Sequence, residues 1–215
     1  MRQRRTFLKS FGIISFSGVL WHLLGNVFHK VWAGEPKVVL PRDTNRLELA
    51  YNNPADLDTR NLEVTPLMDF RTMGSSRFKV DPEAWRLEVS GMVRQPLSLT
   101  YSQVLDLASQ ERQVLLVCPG EFANHGSWKG IMMKELLEKA GVRGGATRLV
   151  FKSPEGDHAS REQFTLEEVL AEKVFLAYRV NGEVLPEKHG FPLRVVAEGH
   201  FGSKWIKYVC CATVE

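Results

Sequence analysis

Cys118 and its neighbours constrain the fold of this 215-residue chain more than any other feature of its sequence. The thiol follows the apolar run over residues 114–117 and precedes Pro119 and Gly120, two residues that end regular structure. The pattern predicts a buried strand that delivers a cysteine side chain into a loop. A thiol held in this way is placed for chemistry or for metal binding.

Cys210 and Cys211 lie side by side near the carboxyl end and complete a set of three cysteines. An odd number leaves at least one thiol unpaired and does not indicate a disulfide framework. Neighbouring side chains of a strand point to opposite faces, so we expect one buried thiol and one outward thiol here. Neither is expected to have a chemical role, which leaves Cys118 as the candidate.

The first 33 residues have the order of an export signal. Arg4 and Arg5 precede an uncharged stretch over residues 10–28, and a small-residue exit follows at residues 31–33. The paired arginines, continued by residues 7–9 (Phe-Leu-Lys), resemble a twin-arginine signal, which implies an exported, periplasmic protein. The alternative is a membrane anchor that is not removed, because about 18 apolar residues can span a bilayer.

The rest of the chain has the composition of one globular core, with 44% apolar and 25% charged residues. Most of the basic excess in the net charge of +3 belongs to the amino-terminal tip, so no nucleic-acid partner is indicated. Residues 34–61 are polar and contain three prolines, and they are interpreted as an extended arm lying on the domain. The domain itself is assigned to residues 62–215.

Strand and short-helix signals alternate irregularly along this domain. Thr100 and Thr165 each precede a glutamine or glutamate by three residues, the capping-box spacing that starts a helix. A longer helix is predicted over residues 133–140, ended by Gly141. Strands, one of them followed by the hairpin dipeptide Asn181-Gly182, are predicted at residues 85–90, 114–118, 148–151, 174–180, 192–196 and 205–212. Without a regular βαβ rhythm, the pattern predicts a single α+β domain.

Two segments of the carboxyl-terminal third combine glycine, histidine and basic residues. The first runs from His189 to Arg194, and the second covers residues 199–207 and includes Lys204 and Lys207. Glycine lets backbone N–H groups approach an anion closely, and the basic side chains supply charge. The segments therefore predict a phosphate-binding surface. By contrast, no Cys-x-x-Cys or His-Glu-x-x-His spacing indicates a zinc site.

Cys118-Pro119-Gly120, the Gly-Ser-Trp-Lys-Gly run at 126–130 and the two carboxyl-terminal segments together resemble the molybdopterin-binding domain of the sulfite oxidase family. The resemblance covers about residues 52–214. It implies a molybdenum–molybdopterin cofactor, to which Cys118 contributes the protein's metal ligand. It also implies cofactor-binding roles for a set of polar residues and glycine, namely Asn52, Ser153, His189, Arg194, Gly202, Ser203, Lys204 and Lys207.

Four further side chains have weaker assignments. His200 precedes the phosphate-binding segment and is predicted to face the metal as a catalytic residue. Arg71 lies near, but one residue out of register with, the position of an anion-binding arginine in sulfite oxidases. Trp128 and Trp205 are expected to pack in the core.

The resemblance implies an exported molybdenum–pterin oxidoreductase that transfers an oxygen atom. The chain is most similar to the stand-alone bacterial branch that contains the methionine-sulfoxide reductases, which favours reduction of an S- or N-oxide, with sulfite oxidation as the alternative. The sequence has no Cys-x-x-Cys-His haem attachment motif and no flavin fingerprint. A membrane haem protein or a soluble cytochrome is therefore the expected electron partner.

Two other functions stay open at the level of sequence. Cys118 is also suited to a thiol enzyme, with His125 as the base that activates it, although His125 is equally consistent with a solvated loop residue. The third hypothesis is an exported binding module that has the fold without the activity. It follows from Pro54-Ala55, which replaces the aromatic continuation of the family's Asn-Asn segment.

Overall fold

The computed structural model describes residues 36–74, 78–156 and 159–215. Residues Lys37–Glu215 form one unit. The predicted export signal, residues 1–33, lies outside the described residues, and so does the membrane anchor that is its alternative. Within the described ranges, none of the helices has the length and apolar character needed to cross a membrane.

One five-stranded sheet, here called the site sheet, carries Cys118 at the end of its edge strand. Its strands follow the order β10-β9-β6-β5, with β11 also paired to β9, and all of these pairs are antiparallel. They span β5 (Ser109–Cys118), β6 (Phe122–Met132), β9 (Val174–Val180), β10 (Glu183–Val184) and β11 (Arg194–Ala197). Most side chains of β6, β9 and β11 are buried, because other elements cover both faces of the sheet.

A second five-stranded sheet has the order β4-β3-β12-β7-β8. The carboxyl-terminal strand β12 lies at its centre, parallel to β3 and antiparallel to β7. The strands are β3 (Arg86–Gly91), β4 (Leu97–Thr100), β7 (Arg148–Lys152), β8 (Arg161–Thr165) and β12 (Cys211–Val214). One hydrophobic core joins residues of both sheets and the helices between them, which gives the predicted α+β domain.

The predicted arm packs on the Cys118 strand and is more ordered than an extended segment. It contains β1 (Val38–Val39), a helix α1 (Arg46–Leu49) and β2 (Leu57–Asp58), with β1 parallel to β2. Leucines of the arm form a small cluster with Leu115, Val117 and Ala123. The backbone around Cys118 is therefore supported from the arm side as well as from the sheet.

The remaining helices begin where the sequence predicts, and the longest also ends where predicted. Both capping boxes form, at Thr100 before α2 (Tyr101–Leu105) and at Thr165 before α4 (Leu166–Leu170). The longest helix, α3 (Met133–Ala140), ends at Gly141 in the left-handed conformation. These predictions are confirmed because capping and turn chemistry act within a few residues of the chain.

The sequence prediction is wrong at four strands of the domain. It missed β4, β6 and β8, and it placed a strand at residues 205–212 where β12 begins only at Cys211. Upstream of β12 the chain forms a 3-10 turn at Gly202–Lys204 and takes a positive φ of 60° at Tyr208. The apolar residues between these points are buried without belonging to a sheet, so their hydrophobicity imitates a strand.

Candidate functional site

Cys118 occupies the last position of β5, directly before the tight turn into β6. It pairs with Phe122, and the left-handed Gly120 lies in the connection between the two strands. The Gly120 amide donates a hydrogen bond of 2.9 Å to the carbonyl of Ala50 in the arm. The sequence prediction of a strand that delivers this thiol into a loop is confirmed.

A small cavity of about 70 Å³ opens at Cys118. Four of the predicted site residues line it together, namely Cys118, Arg194, Gly202 and Lys207. The other lining residues are Arg71, Thr72, Met73, Leu116, Phe122 and Trp205. The chain therefore brings its loop thiol to the basic carboxyl-terminal segments, as the resemblance implies.

The Cys118 thiol is partly covered in this cavity. It donates to the Met73 thioether, with Sγ 3.2 Å from Sδ. Burial is the main cause that raises the pKa of Cys118, the Glu121 charge adds to it, and the Arg71 charge acts in the opposite direction. A raised pKa is the reverse of what a thiol nucleophile needs, whereas a metal ion displaces the thiol proton directly.

Arg194 is a buried cation beside this thiol. Only 4% of the residue is exposed, and its guanidinium lies 5.2 Å from the centroid of the Trp128 ring and 5.7 Å from that of Trp205. It donates to the carbonyls of His189 and Trp205 at 3.0 and 3.3 Å. Burial lowers the pKa of Arg194 to about 10, so the side chain is still charged at neutral pH.

No carboxylate of the described residues forms an ion pair with Arg194, and its Nε is buried without a hydrogen-bond partner there. Buried charges are normally paired, because an isolated charge away from water is costly. We therefore expect the cavity to bind an anionic group or a strong hydrogen-bond acceptor next to Arg194.

His189 is a second buried polar residue, which lines neither the Cys118 cavity nor the larger cavity next to it but contacts the cavity residue Arg194 through its carbonyl. It ends the 3-10 turn Glu187–His189, is 1% exposed and contacts the Phe70 ring edge-on. Burial, with the charges of Arg194, Lys188 and Lys207, lowers the pKa of His189 to about 3, so the ring is neutral. Its Nε2 is buried and has no hydrogen-bond partner among the described residues.

Lys207 lines the Cys118 cavity and the larger cavity next to it. Its Nζ donates to the Thr72 hydroxyl at 2.9 Å and to the Lys188 carbonyl at 3.2 Å. Burial and the neighbouring Arg194 charge lower the pKa of Lys207 to about 8. Lys207 therefore carries a positive charge close to Cys118 at neutral pH.

Gly202 and Ser203 lie in the segment that docks beside the Cys118 strand. Phe201 pairs with Val117 in an isolated parallel bridge, which places Gly202 next to Cys118. A Cβ atom on Gly202 would lie 3.2 Å from the Val117 carbonyl oxygen, closer than ordinary packing allows. Ser203 is exposed and lines the larger cavity of about 450 Å³, which shares Met73, Trp205 and Lys207 with the small one.

Lys204 and Ser153 lie at the margin of this larger cavity. The Lys204 ammonium forms an ion pair with Glu162, at 2.6 Å from Oε2, and Glu162 is part of the cavity wall. The Ser153 hydroxyl accepts from the amide of Ser160, another wall residue, at 2.8 Å. Both residues therefore contact the wall without lining the cavity, and their cofactor-binding roles stay predictions.

Asn52 is exposed in the arm, two residues after the Ala50 carbonyl that holds the Cys118 turn. Its neighbour Asn53 has a structural role, since the Asn53 side chain accepts from the Ala55 amide and caps the 3-10 turn Pro54–Asp56. Asn52 thus lies on the arm side of the Cys118 loop, and its role in cofactor binding stays a prediction.

His200 is not brought to the cavity. Its Nε2 donates to Glu168 Oε1 at 2.8 Å, and its ring contacts Phe164 edge-on. Both partners belong to the β8–α4 region rather than to the Cys118 loop. The geometry gives no support to a catalytic role for His200, and that role stays an untested prediction.

His125 is buried in β6. The interpretation of His125 as a solvated loop residue is therefore wrong. Its Nδ1 donates to the Glu63 carbonyl at 3.3 Å, and burial lowers the pKa of His125. No histidine is among the described residues that line the Cys118 cavity. The structure therefore gives the thiol-enzyme hypothesis no histidine base at the cavity.

Arg71, Met73 and Thr72 reach the cavity from a loop that the sequence marked only weakly. The loop is held by Asn124, whose side chain accepts from the Arg71 amide and donates to the Arg71 carbonyl. The Arg71 guanidinium donates to the Glu121 carbonyl at 2.6 Å. Arg71 was the one member of the loop with a sequence signal; Met73 and Thr72 had none.

The tryptophans and the terminal cysteines complete the comparison. Trp128 and Trp205 are in the core as expected, with ring centroids 5.5 Å apart, although Trp205 also lines the cavity.

The expectation of opposite orientations for Cys210 and Cys211 is wrong, because their sulfurs lie 3.2 Å apart and both residues are partly exposed. The physical reason is that Cys210 precedes β12 and is free of its alternation.

These residues fit a phosphate-bearing metal cofactor. The Cys118 thiol can become a soft thiolate ligand when a metal displaces its proton, and the Arg194 guanidinium, which forms no ion pair with a described carboxylate, suits an anion. The orphaned Nε2 of His189 adds a buried hydrogen-bonding atom. The close approach at Gly202 leaves backbone, rather than a side chain, next to the space beside Cys118.

Known proteins match both the sequence and the fold. A family model described as the oxidoreductase molybdopterin binding domain matches residues 74–215. An NADH nitrate reductase of Brassica napus is 31% identical over 161 residues, which cover 61% of this chain and 18% of that protein. Nitrate reductase 1 of Arabidopsis thaliana is 31% identical over 155 residues, or 58% of this chain and 17% of that protein. This chain thus matches less than a fifth of the length of either relative.

A solved structure also has a similar fold. The sulfane dehydrogenase SoxCD of Paracoccus pantotrophus superposes with a TM-score of 0.59 and 18% sequence identity, covering 95% of this chain and 56% of that one. The family match covers most of the chain and includes every predicted site residue except Asn52 and the weakly assigned Arg71. The chain belongs to the family of oxidoreductase molybdopterin-binding domains, and molybdenum–molybdopterin is its cofactor.

Proposed function

We propose that this protein is an exported oxidoreductase that transfers an oxygen atom, in the direction that reduces an S-oxide or an N-oxide. The observation that carries the proposal is the meeting at one cavity of the Cys118 thiol and the buried Arg194 guanidinium, which no carboxylate of the described residues neutralises. The cofactor, when bound, supplies a metal that alternates between two oxidation states while an oxo group is exchanged with the substrate.

The protein's own residues would bind the metal, hold the pterin and supply positive charge. Cys118 would hold the metal, and Arg194, His189 and Lys207 would hold the anionic and hydrogen-bonding parts of the pterin. Gly202 and Ser203 would add backbone and hydroxyl groups from the segment beside Cys118. Burial holds Arg194 and His189 in place, and a hydrogen bond to Thr72 holds Lys207, which fixes the orientation of a group that these three side chains bind.

The reductive direction is supported by the relatives and by the charge of the cavity. The nitrate reductases are named for the reduction of an N-oxo anion, and the wall of the cavity presents Arg71 and Lys207 as cations. An S-oxide or N-oxide has a partly negative oxygen that these cations attract. Sulfite oxidation is the second candidate, because the same two cations suit a sulfite anion.

Export and the electron partner are further parts of the proposal. The twin-arginine pattern at Arg4 and Arg5 supports transport of an already folded, cofactor-loaded protein into the periplasm. The electrons would come from a membrane haem protein or a soluble cytochrome, because the sequence has no motif for a haem or flavin of its own.

The test is a substrate screen with the full chain purified from a host that makes molybdopterin. A reduced viologen dye serves as the electron donor, and S-oxides including methionine sulfoxide, N-oxides and nitrate serve as acceptors. We expect dye oxidation with at least one oxide. Sulfite-dependent reduction of an acceptor dye without any oxide reduction would reverse the proposed direction. Bound molybdenum with no turnover in either screen would favour the inactive binding module.

A further inference from the structure

Cys210 and Cys211 form a pair of converging thiols that the proposed function does not use. Their sulfurs are 3.2 Å apart, both residues are partly exposed, and neither forms a disulfide. Neither lines the cavities around Cys118. The pair is therefore a separate constellation of soft donor atoms.

The backbone holds the two thiols in this arrangement. The Cys210 amide donates to the Lys152 carbonyl at 3.0 Å, and the Cys210 carbonyl accepts from the Glu88 amide at 2.8 Å. Cys211 then opens β12, in register with Glu88 on one side and Lys152 on the other. Because neighbouring strands anchor both sides of the dipeptide, the thiols converge without any further movement of the chain.

Charged groups face the pair from both neighbouring strands. Burial, the hydrogen bond with Cys211 and the Glu88 charge raise the pKa of Cys210 to about 12. The Glu88 carboxylate is thus close enough to act on the thiol, and it favours a cation there. Lys152 is exposed in register with Cys211 and opposes it. Glu88 is therefore the charge that favours a cation at the pair, and Lys152 is the charge that opposes one.

The spacing suits a chelated metal better than a disulfide. Adjacent Cα atoms across a trans peptide are about 3.8 Å apart, whereas disulfides usually join Cα atoms about 4.4–6.8 Å apart. Two sulfurs that each lie about 2.3 Å from one metal ion can be at most about 4.6 Å apart. The observed 3.2 Å satisfies this condition.

We propose that Cys210 and Cys211 are a two-thiolate binding site for one soft, thiophilic metal ion of the Cu(I) class. Each thiol releases its proton as its sulfur–metal bond forms, and no electrons are exchanged. Two thiolates select soft ions over the hard cations that carboxylates bind. The site is independent of the molybdenum centre and lies on the outer side of the second sheet, since Cys211 alternates with buried Ala212.

The test is an anaerobic titration of the reduced full chain with Cu(I), in competition with the chromophoric chelator bicinchoninate. We expect one tightly bound Cu(I) per chain in the wild type and in Cys118→Ser. Loss of outer-shell partners alone weakens metal binding by about 10–100-fold. Removal of a thiolate in Cys210→Ser or Cys211→Ser should therefore weaken binding at least about 100-fold.

A matched control and a folding check keep the test decisive. Thr213→Ala changes the next outward side chain of β12 and should bind Cu(I) as the wild type does. Far-UV circular dichroism shows whether each serine variant is folded. Full Cu(I) binding by a folded Cys210→Ser or Cys211→Ser variant would overturn the proposal, as would binding that Cys118→Ser alone abolishes.

Discussion

Val117 pairs with Phe201 in a single parallel bridge, and this pairing brings the carboxyl-terminal segment to the Cys118 loop. The bridge lies outside the ladders of the two large sheets. One residue further along the chain from Val117 and from Phe201, Cys118 and Gly202 line the same cavity. The thiol and the basic segment, far apart in the chain, therefore meet through one backbone contact that depends on a glycine.

The first prediction concerns the metal ligand. Cys118→Ser replaces a soft donor by a hard, weakly acidic hydroxyl, so we expect the purified protein to lose its molybdenum while it keeps its fold. Metal analysis by mass spectrometry and circular dichroism measure the two properties. Cys211→Ser is the matched control and should keep about one molybdenum per chain. Wild-type molybdenum content in Cys118→Ser would show that the thiol is not the ligand.

Arg194→Met tests whether the buried cation exists for an anionic ligand. The substitution removes a buried charge that no described carboxylate neutralises, which favours the folded protein, and it also removes the hydrogen bonds to the carbonyls of His189 and Trp205, which disfavours it. We expect the free energy of unfolding of the cofactor-free protein to fall by no more than about 1 kcal/mol. We expect the molybdopterin content to fall at least about tenfold, since a charge-assisted hydrogen bond contributes about 1.5–3 kcal/mol.

The control for this variant is Arg179→Met on β9, which removes a guanidinium that donates to the Gly182 carbonyl and lines neither cavity at Cys118. It should leave the cofactor content unchanged. If Arg194→Met unfolds the cofactor-free protein and retains cofactor in the folded fraction, Arg194 is a packing residue rather than an anion site.

Local chemistry explains which parts of the fold the sequence could predict. The capping boxes at Thr100 and Thr165, and helix α3 with its Gly141 end, depend on residues within one or two turns. The Cys118 strand was equally clear because its apolar run is short and ends at Pro-Gly. The same short run, ended by Pro119 and Gly120, also indicated that the Cys118 thiol lies at the centre of the site.

The missed strand β6 shows what local patterns cannot reveal. Its glycines favour a loop when they are judged by propensity, but tertiary packing requires them in a strand. A Cβ atom on Gly130 would lie 2.0 Å from the Leu176 carbonyl oxygen, and one on Gly126 would lie 2.9 Å from the Phe70 ring. The same limit applies to Met73 and Thr72, whose place at the cavity depends on contacts with Cys118 and Lys207.

Gly202→Val tests the docking of the carboxyl-terminal segment. Its new side chain would press on the Val117 carbonyl oxygen and on Leu116, at 3.2 and 3.3 Å from the Cβ position. Overpacking of this kind costs about 1–3 kcal/mol, and here it also separates the segment from Cys118. We expect lower thermal stability together with lower molybdenum content. Gly144→Val, at a site with open space and no positive φ, is the control and should change neither property.

His189 predicts a loss of stability in mild acid. Its pKa of about 3 in the folded protein is below the ordinary value of 6.5, so the unfolded chain binds more protons between these limits. Stability is therefore complete above pH 6.5 and falls as the pH decreases towards 3. Between pH 7.5 and pH 5 this histidine alone should remove about 2 kcal/mol from the free energy of unfolding.

Urea denaturation of the cofactor-free protein at these two pH values measures the effect. His125 also has a pKa lowered by burial, so it too removes stability as the pH falls. The loss of unfolding free energy in the wild type must therefore be compared with the loss in a variant that lacks His189. His189→Asn, which does not titrate, should lose about 2 kcal/mol less than the wild type over this interval. Equal losses in the two proteins would place the acid sensitivity elsewhere.

The ion pair of Lys204 and Glu162 allows a test of whether Lys204 binds the cofactor or only stabilises the fold. The Lys204 ammonium lies 2.6 Å from the Glu162 carboxylate, in the wall of the cavity that would receive an anionic group. A phosphate at this position must compete with Glu162 for the ammonium. Glu162→Gln should therefore slow the loss of molybdopterin during dialysis, whereas Lys204→Met should accelerate it by about tenfold, the equivalent of one charge-assisted hydrogen bond. A purely structural pair would instead make both variants lose cofactor at the same increased rate, because each removes the same partly exposed contact.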